Sequence, residues 1–213
     1  MTRLTRPSRL KRSAAALAVA IVATAGLSGC SEQRLGAAAV VDGQRIATDD
    51  LQHAAQSYLK IVPDAKPGEV QRSVLQRIIL SEVIDKAARK EGVGVSAGRV
   101  AAERDDLLKS VGGRTGLIRA LAAQQTPTVL APEYLDRWFK DQLLFRRIAT
   151  KLAGPGGDAQ SAAVSQRTSN LLARTARSMD IQVNPRYGKW STTDGVTPLI
   201  SGGLSKSVAE LNG

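Results

Sequence analysis

Few side chains in this 213-residue sequence are of a type and spacing that could do chemistry. There is one histidine, His53, and one cysteine, Cys30. A bound metal needs several His, Cys or carboxylate ligands to converge, so the sequence predicts no metal and no cofactor. Gly94-Val95-Ser96-Ala97-Gly98 has the spacing of a nucleophile elbow. That motif requires a strand before it and a triad histidine after it. Here a helical pattern precedes the motif and His53 lies upstream, which makes Ser96 a helix cap instead. Glu103, Asp105 and Asp106 lack the separated cleft geometry of a glycosidase pair and read as a solvated helix face. Gly154-Pro155-Gly156-Gly157 lacks the Lys-Ser/Thr that completes a phosphate loop. No catalytic residue is assigned, and the chain is expected not to be an enzyme. The aromatic residues differ from these. Tyr134, Trp138 and Phe145 fall at i, i+4 and i+11, near one helix face, in a chain that is only 3% aromatic. They are either core or the lining of a groove for apolar peptide segments.

Cys30 has a distinctive neighbourhood. Arg3, Arg6, Arg9, Lys11 and Arg12 precede the apolar run Ala14–Leu27. That run is shorter than the ~20 residues of a membrane span and has the length of a signal-peptide core. Leu27-Ser28-Gly29-Cys30 then resembles the lipobox of bacterial lipoproteins. The resemblance implies lipid on Cys30 and cleavage between Gly29 and Cys30. The expected location is the extracytoplasmic face of the cell membrane, held by lipid. Residues 1–29 are read as the signal peptide, 30–36 as a spacer, 37–190 as one domain, and 191–213 as a flexible tail.

The formal net charge is +11. Five of the basic residues sit in 1–29 without any acid, so residues 30–213 carry about +6. No dense Lys/Arg run with interleaved aromatics remains, which argues against a nucleic-acid partner. With one cysteine, no internal disulfide can form, and the fold must rest on packing.

The elements follow from periodicity. Ala37–Val41 and Gln44–Ile46 read as short strands around the turn dipeptide Asp42-Gly43. Thr48 is expected as the cap of a helix over 49–60, with Asp49 and Asp50 in its first turn. Pro63 and Pro67-Gly68 are read as breaks. Apolar residues at helical spacing predict helices over 69–91, 97–110, 115–124, from Pro132 to about Leu152, and 159–179. Ile181-Gln182-Val183 reads as a strand able to pair with the first. Trp190 is a candidate to seal the core. The fold class is mainly α, with a short β-hairpin.

Several of these pieces, in order, resemble the N-terminal domain of SurA-type chaperones. Ala38-Ala39-Val40-Val41-Asp42-Gly43-Gln44-Arg45-Ile46 is similar to that family's opening hairpin. Val74-Leu75-Gln76-Arg77-Ile78-Ile79, Ala87 to Val93 and Val95 to Val100 are similar to the family's subsequent helices. Val183 to Trp190 looks like the closing strand of actinobacterial lipoproteins of this type. The resemblance implies a helical cradle for unfolded or secreted polypeptides. Larger members insert a parvulin isomerase module, typically with histidines in its active site. Here fewer than thirty residues separate Leu152 from Asp180 and only one histidine exists, which implies that the module is absent. The expected function is a lipid-anchored, non-catalytic chaperone-like protein. Two alternatives stay open: a prolyl-isomerase-related folding factor, and an envelope adaptor with one fixed partner.

Overall fold

The computed structural model describes residues 35–197, so the expectations for Gly29, Cys30 and the tail beyond residue 197 lie outside the described residues. The chain is mainly α, as expected. Strands β1 (Ala37–Val41) and β2 (Gln44–Ala47) lead into helices α1 (Thr48–Leu59) and α2 (Pro67–Lys90). Then come α3 (Ala97–Ser110), α4 (Gly113–Ala122), a 3-10 turn (Pro132–Tyr134), α5 (Leu135–Ala153) and α6 (Ala162–Arg177). Strands β3 (Ile181–Val183), β4 (Lys189–Ser191) and β5 (Gly195–Thr197) close the described chain.

The hairpin forms where turn chemistry demands it. Asp42 (φ 48°) and Gly43 (φ 81°) both occupy the left-handed region, the requirement of the two-residue turn that matches strand twist. β1 is central in the order β2-β1-β3, antiparallel to both neighbours, with Val40 opposite Arg45 and Gln182. All five β1 residues are buried, which explains their unbroken apolar run.

Helix boundaries depart from expectation in two informative places. Thr48 is the first residue of α1, and Ala47 holds the cap position. β2 runs straight into the helix, and the Thr48 N–H donates to the Gly36 carbonyl at 2.9 Å. No side chain caps α1, and the residue before β1 satisfies the Thr48 amide instead. Pro67 does not break the chain; it opens α2, where its fixed φ and missing N–H fit the first turn. Ser96 caps α3 as expected, accepting from the Arg99 N–H at 3.3 Å.

At 24 residues, α2 spans about 36 Å and forms the spine. Val70, Val74, Leu75 and Ile79 on its first half are buried with Leu51, Ala54, Ala55 and Tyr58 of α1 and with β1. Ile84, Ala87 and Ala88 on its second half join Leu144 and Ile148 of α5, with Leu171 and Leu172 of α6 packed against them. A third cluster joins Leu117 and Leu121 of α4, Leu130, and Leu135 and Phe139 of α5. Each fully buried Leu or Ile contributes about 1.5–3 kcal/mol.

The segment expected to be a loose tail begins as structure. β4 and β5 form an antiparallel ribbon with Trp190 opposite Val196. Trp190 packs on the first core cluster, as its proposed sealing role requires. Gly195 sits so near the Gln76 side chain of α2 that an added Cβ would lie 2.5 Å from Nε2. Apolar anchorage and this close approach order a stretch whose Gly, Ser and Thr content suggests disorder.

Candidate polypeptide-binding site

The candidate site is built on α5. Pro132 starts a 3-10 turn that ends at Tyr134, and α5 continues directly from it. Leu135, Phe139, Leu143, Leu144, Ile148 and Ala149 are buried along the helix. Tyr134, Trp138 and Phe145 are each half-buried, neither sealed nor open. Tyr134 packs against both the first and the third cluster, and Trp138 against the third. The Trp138 ring meets Phe139 edge to face, with centroids 4.9 Å apart. Burial pushes the Tyr134 hydroxyl pKa up, reinforced by the charge of Asp50. Phe145 belongs to none of the three clusters. The structure therefore brings Tyr134 and Trp138 together and leaves Phe145 apart from them.

What covers this surface is α3. Its Val100, Leu107 and Leu108, with Val111 just beyond, pack against the third cluster while remaining partly exposed. No residue of α3 is fully buried. Two ion pairs tie it to α5: Arg104 to Asp136 at 3.0 Å, and Glu103 to Arg146. Glu103 is thus engaged across the helix pair, beyond the solvated role expected of it, and Arg146 holds its carboxyl below the usual range. Among the described residues, Leu35 is the one large hydrophobic that is mostly exposed, so α3 covers most of the apolar surface and leaves part of Tyr134 and Trp138 open.

The other side of α5 is joined to α2 by buried polar contacts that sequence reasoning missed. Ser81 Oγ donates to Asp141 Oδ1 at 2.8 Å, and Arg137 Nε donates to Ser81 Oγ. Arg137 also binds Glu82 at 2.6 Å, and Lys140 pairs with Asp85 at 2.7 Å. Asp141 is 2% exposed. Burial raises its pKa to about 6, opposed by the Ser81 hydrogen bond and the Arg137 charge. A signal existed: Asp141 lies at i+3 from Trp138 and i−3 from Leu144, and Ser81 at i+3 from Ile78. A carboxylate and a hydroxyl sit on the apolar faces of two helices. Ser81 is 1% exposed, so it is sealed away from any substrate.

The remaining candidates settle into structural roles. His53 is largely exposed, with Nδ1 3.3 Å from Glu133. No group of three or more His, Cys, Asp or Glu is arranged to hold a metal among the described residues. None of the described helices is long and apolar enough to cross a membrane. A shallow cleft of about 290 Å³ lies away from the aromatic stripe, lined by β1, β3 and Pro185.

Comparison with known proteins adds one finding. Neither the curated proteins nor the solved structures contain a match. A family model does match, over residues 8–106. It takes in β1, β2, α1, α2 and most of α3, and stops before the aromatic stripe of α5. The hairpin, the acidic first turn of α1, the long α2 and the Ser96-capped start of α3 lie inside the match, so this part of the chain is similar to the SurA-like N-terminal domain family.

Proposed function

We propose that this chain is a membrane-anchored, extracytoplasmic, chaperone-like lipoprotein that binds unfolded or exported polypeptides without catalysis. The fold is chaperone-like through its SurA-like domain. The observation that carries the binding reading is the half-buried apolar surface of Tyr134 and Trp138, roofed by a helix that has no fully buried residue. Such a surface offers apolar area to a client without a rigid, shape-specific pocket, which suits weak and multi-partner binding. Binding of this kind is shallow and reversible, so release needs no nucleotide. The anchoring part of the reading rests on Leu27-Ser28-Gly29-Cys30. Suppression of aggregation of an unfolded exported protein, at stoichiometric excess of this chain, is the direct test. Unchanged light scattering would remove the polypeptide-binding reading.

A further inference from the structure

The two sides of α5 are held very differently. Toward α2 the contact contains Leu144, Ile148, Ser81 and Asp141, all buried. Toward α3 it consists of partly exposed aliphatics and two ion pairs whose α5 ends face water, with Asp136 59% and Arg146 58% exposed. Exposed pairs contribute little and weaken with salt. α3 is also bounded by glycines in the left-handed region: Gly92 at φ 62° before it, and Gly112 and Gly113 at φ 76° and 81° after it. A helix with few buried contacts, between two glycine joints, belongs to the low-stability end of a structure, which opens locally.

We propose that α3 is a displaceable lid: it swings from α5 on its glycine joints and uncovers the apolar surface around Trp138, Phe139, Leu117 and Leu121. In the closed state α3 acts as the site's own ligand. It presents Val100, Leu107 and Leu108 as an apolar stripe, Arg104 to Asp136, and Glu103 to Arg146. The occupant of the open state is an apolar polypeptide stretch that replaces the stripe and brings a basic residue to the freed Asp136. The identity of this occupant rests on the polypeptide-binding reading; the motion does not.

Hydrogen–deuterium exchange on the full chain tests both halves. The probe is a fluorescein-labelled 12-residue peptide rich in Leu and Phe with one Lys. The expected result is exchange at 97–110 about 100-fold faster than in the cores of α2 and α5, as local opening requires. Raising salt should speed that exchange by about 5-fold, and the double substitution Arg104→Gln with Arg146→Gln should both speed it and tighten peptide binding, each by about 5-fold. Added peptide should speed exchange in α3 and slow it in α5. Exchange in α3 as slow as in α2 would overturn the lid. Peptide binding that leaves α3 exchange unchanged would also overturn it while sparing the polypeptide-binding reading. If the peptide fails to bind although α3 opens readily, that reading falls and takes the gating role with it.

Discussion

The Asp180 N–H donates to Oδ1 of Asp42 at 2.9 Å, and the Asp42 N–H returns a bond to the Asp180 carbonyl at 2.8 Å. This reciprocal pair closes β1 against the start of β3, bringing both ends of the domain into one sheet. Asp42 Oδ2 also takes Lys86 of α2 at 2.6 Å, and this contact holds its carboxyl below the usual range. Asp42→Asn keeps the acceptor and tolerates φ 48°, so it should cost under about 1 kcal/mol. Asp42→Ala loses both side-chain contacts and strains the turn, and should cost about 2–3 kcal/mol. Urea melts of the two variants should separate clearly; equal midpoints would refute the role assigned to the side chain. Because the folded pKa is depressed, the contribution of Asp42 is present above about pH 4 and is lost as pH falls through the folded value.

Asp141 has the opposite sign. Its folded pKa, raised to about 6, exceeds the ~3.9 of an unfolded aspartate. Between these values the folded state binds the extra proton, so stability from this residue falls as pH rises from about 4 through 6. Two pKa units correspond to about 3 kcal/mol. Asp141→Asn retains an acceptor for Ser81 and removes the titration. Relative to wild type, its melting temperature should rise by about 6–10 °C between pH 4 and pH 7. Asp42 and Glu103 are common to both proteins and cancel in that difference. Parallel pH profiles for the two would show that Asp141 does not titrate in this window.

Local chemistry made much of this fold readable. Asp42-Gly43 dictates its turn, Ser96 its cap, and the apolar spacing of Val70, Val74, Ile78 and Ile79 its helix. These signals act within a few residues. What stayed hidden depends on neighbours distant in the chain. The Thr48 amide is satisfied by Gly36, across the hairpin. Gly195 is ordered by its close approach to Gln76 of α2. Asp141 is tolerated inside because Ser81 lies sixty residues away at hydrogen-bond distance. The aromatic spacing marked one helix face, but only packing shows that Trp138 joins the third cluster, that Phe145 does not, and that α3 roofs the surface.

Trp138 separates packing from binding. Its ring is half-buried and edge-on to Phe139, so Trp138→Ala should cost about 1–2 kcal/mol, or about 3–8 °C in melting temperature. Leu135→Ala, at a site 1% exposed, should cost about 2–5 kcal/mol by leaving a cavity. If Trp138 lines the client surface, its variant weakens binding of the Leu/Phe peptide by at least about 5-fold, the order of loss when an aromatic anchor is truncated. A variant that melts as badly as Leu135→Ala would assign Trp138 to the core alone.

Anchoring is tested at Cys30, the chain's single cysteine. Acyl chains contribute about 0.8 kcal/mol per buried CH₂, and one chain gives only reversible membrane binding where two give a stable anchor. Metabolic labelling with palmitate should therefore mark the wild type and leave Cys30→Ser blank. The variant should also move from the membrane fraction to the soluble one, and its melting temperature should stay within about 1 °C, because the three core clusters are built from residues from Ala38 onward. The residual basic charge of about +6 adds only a screened attraction to anionic lipid, so high salt should not release the wild type. Release of the wild type by salt alone would reduce the attachment to electrostatics and leave the lipobox resemblance without a consequence.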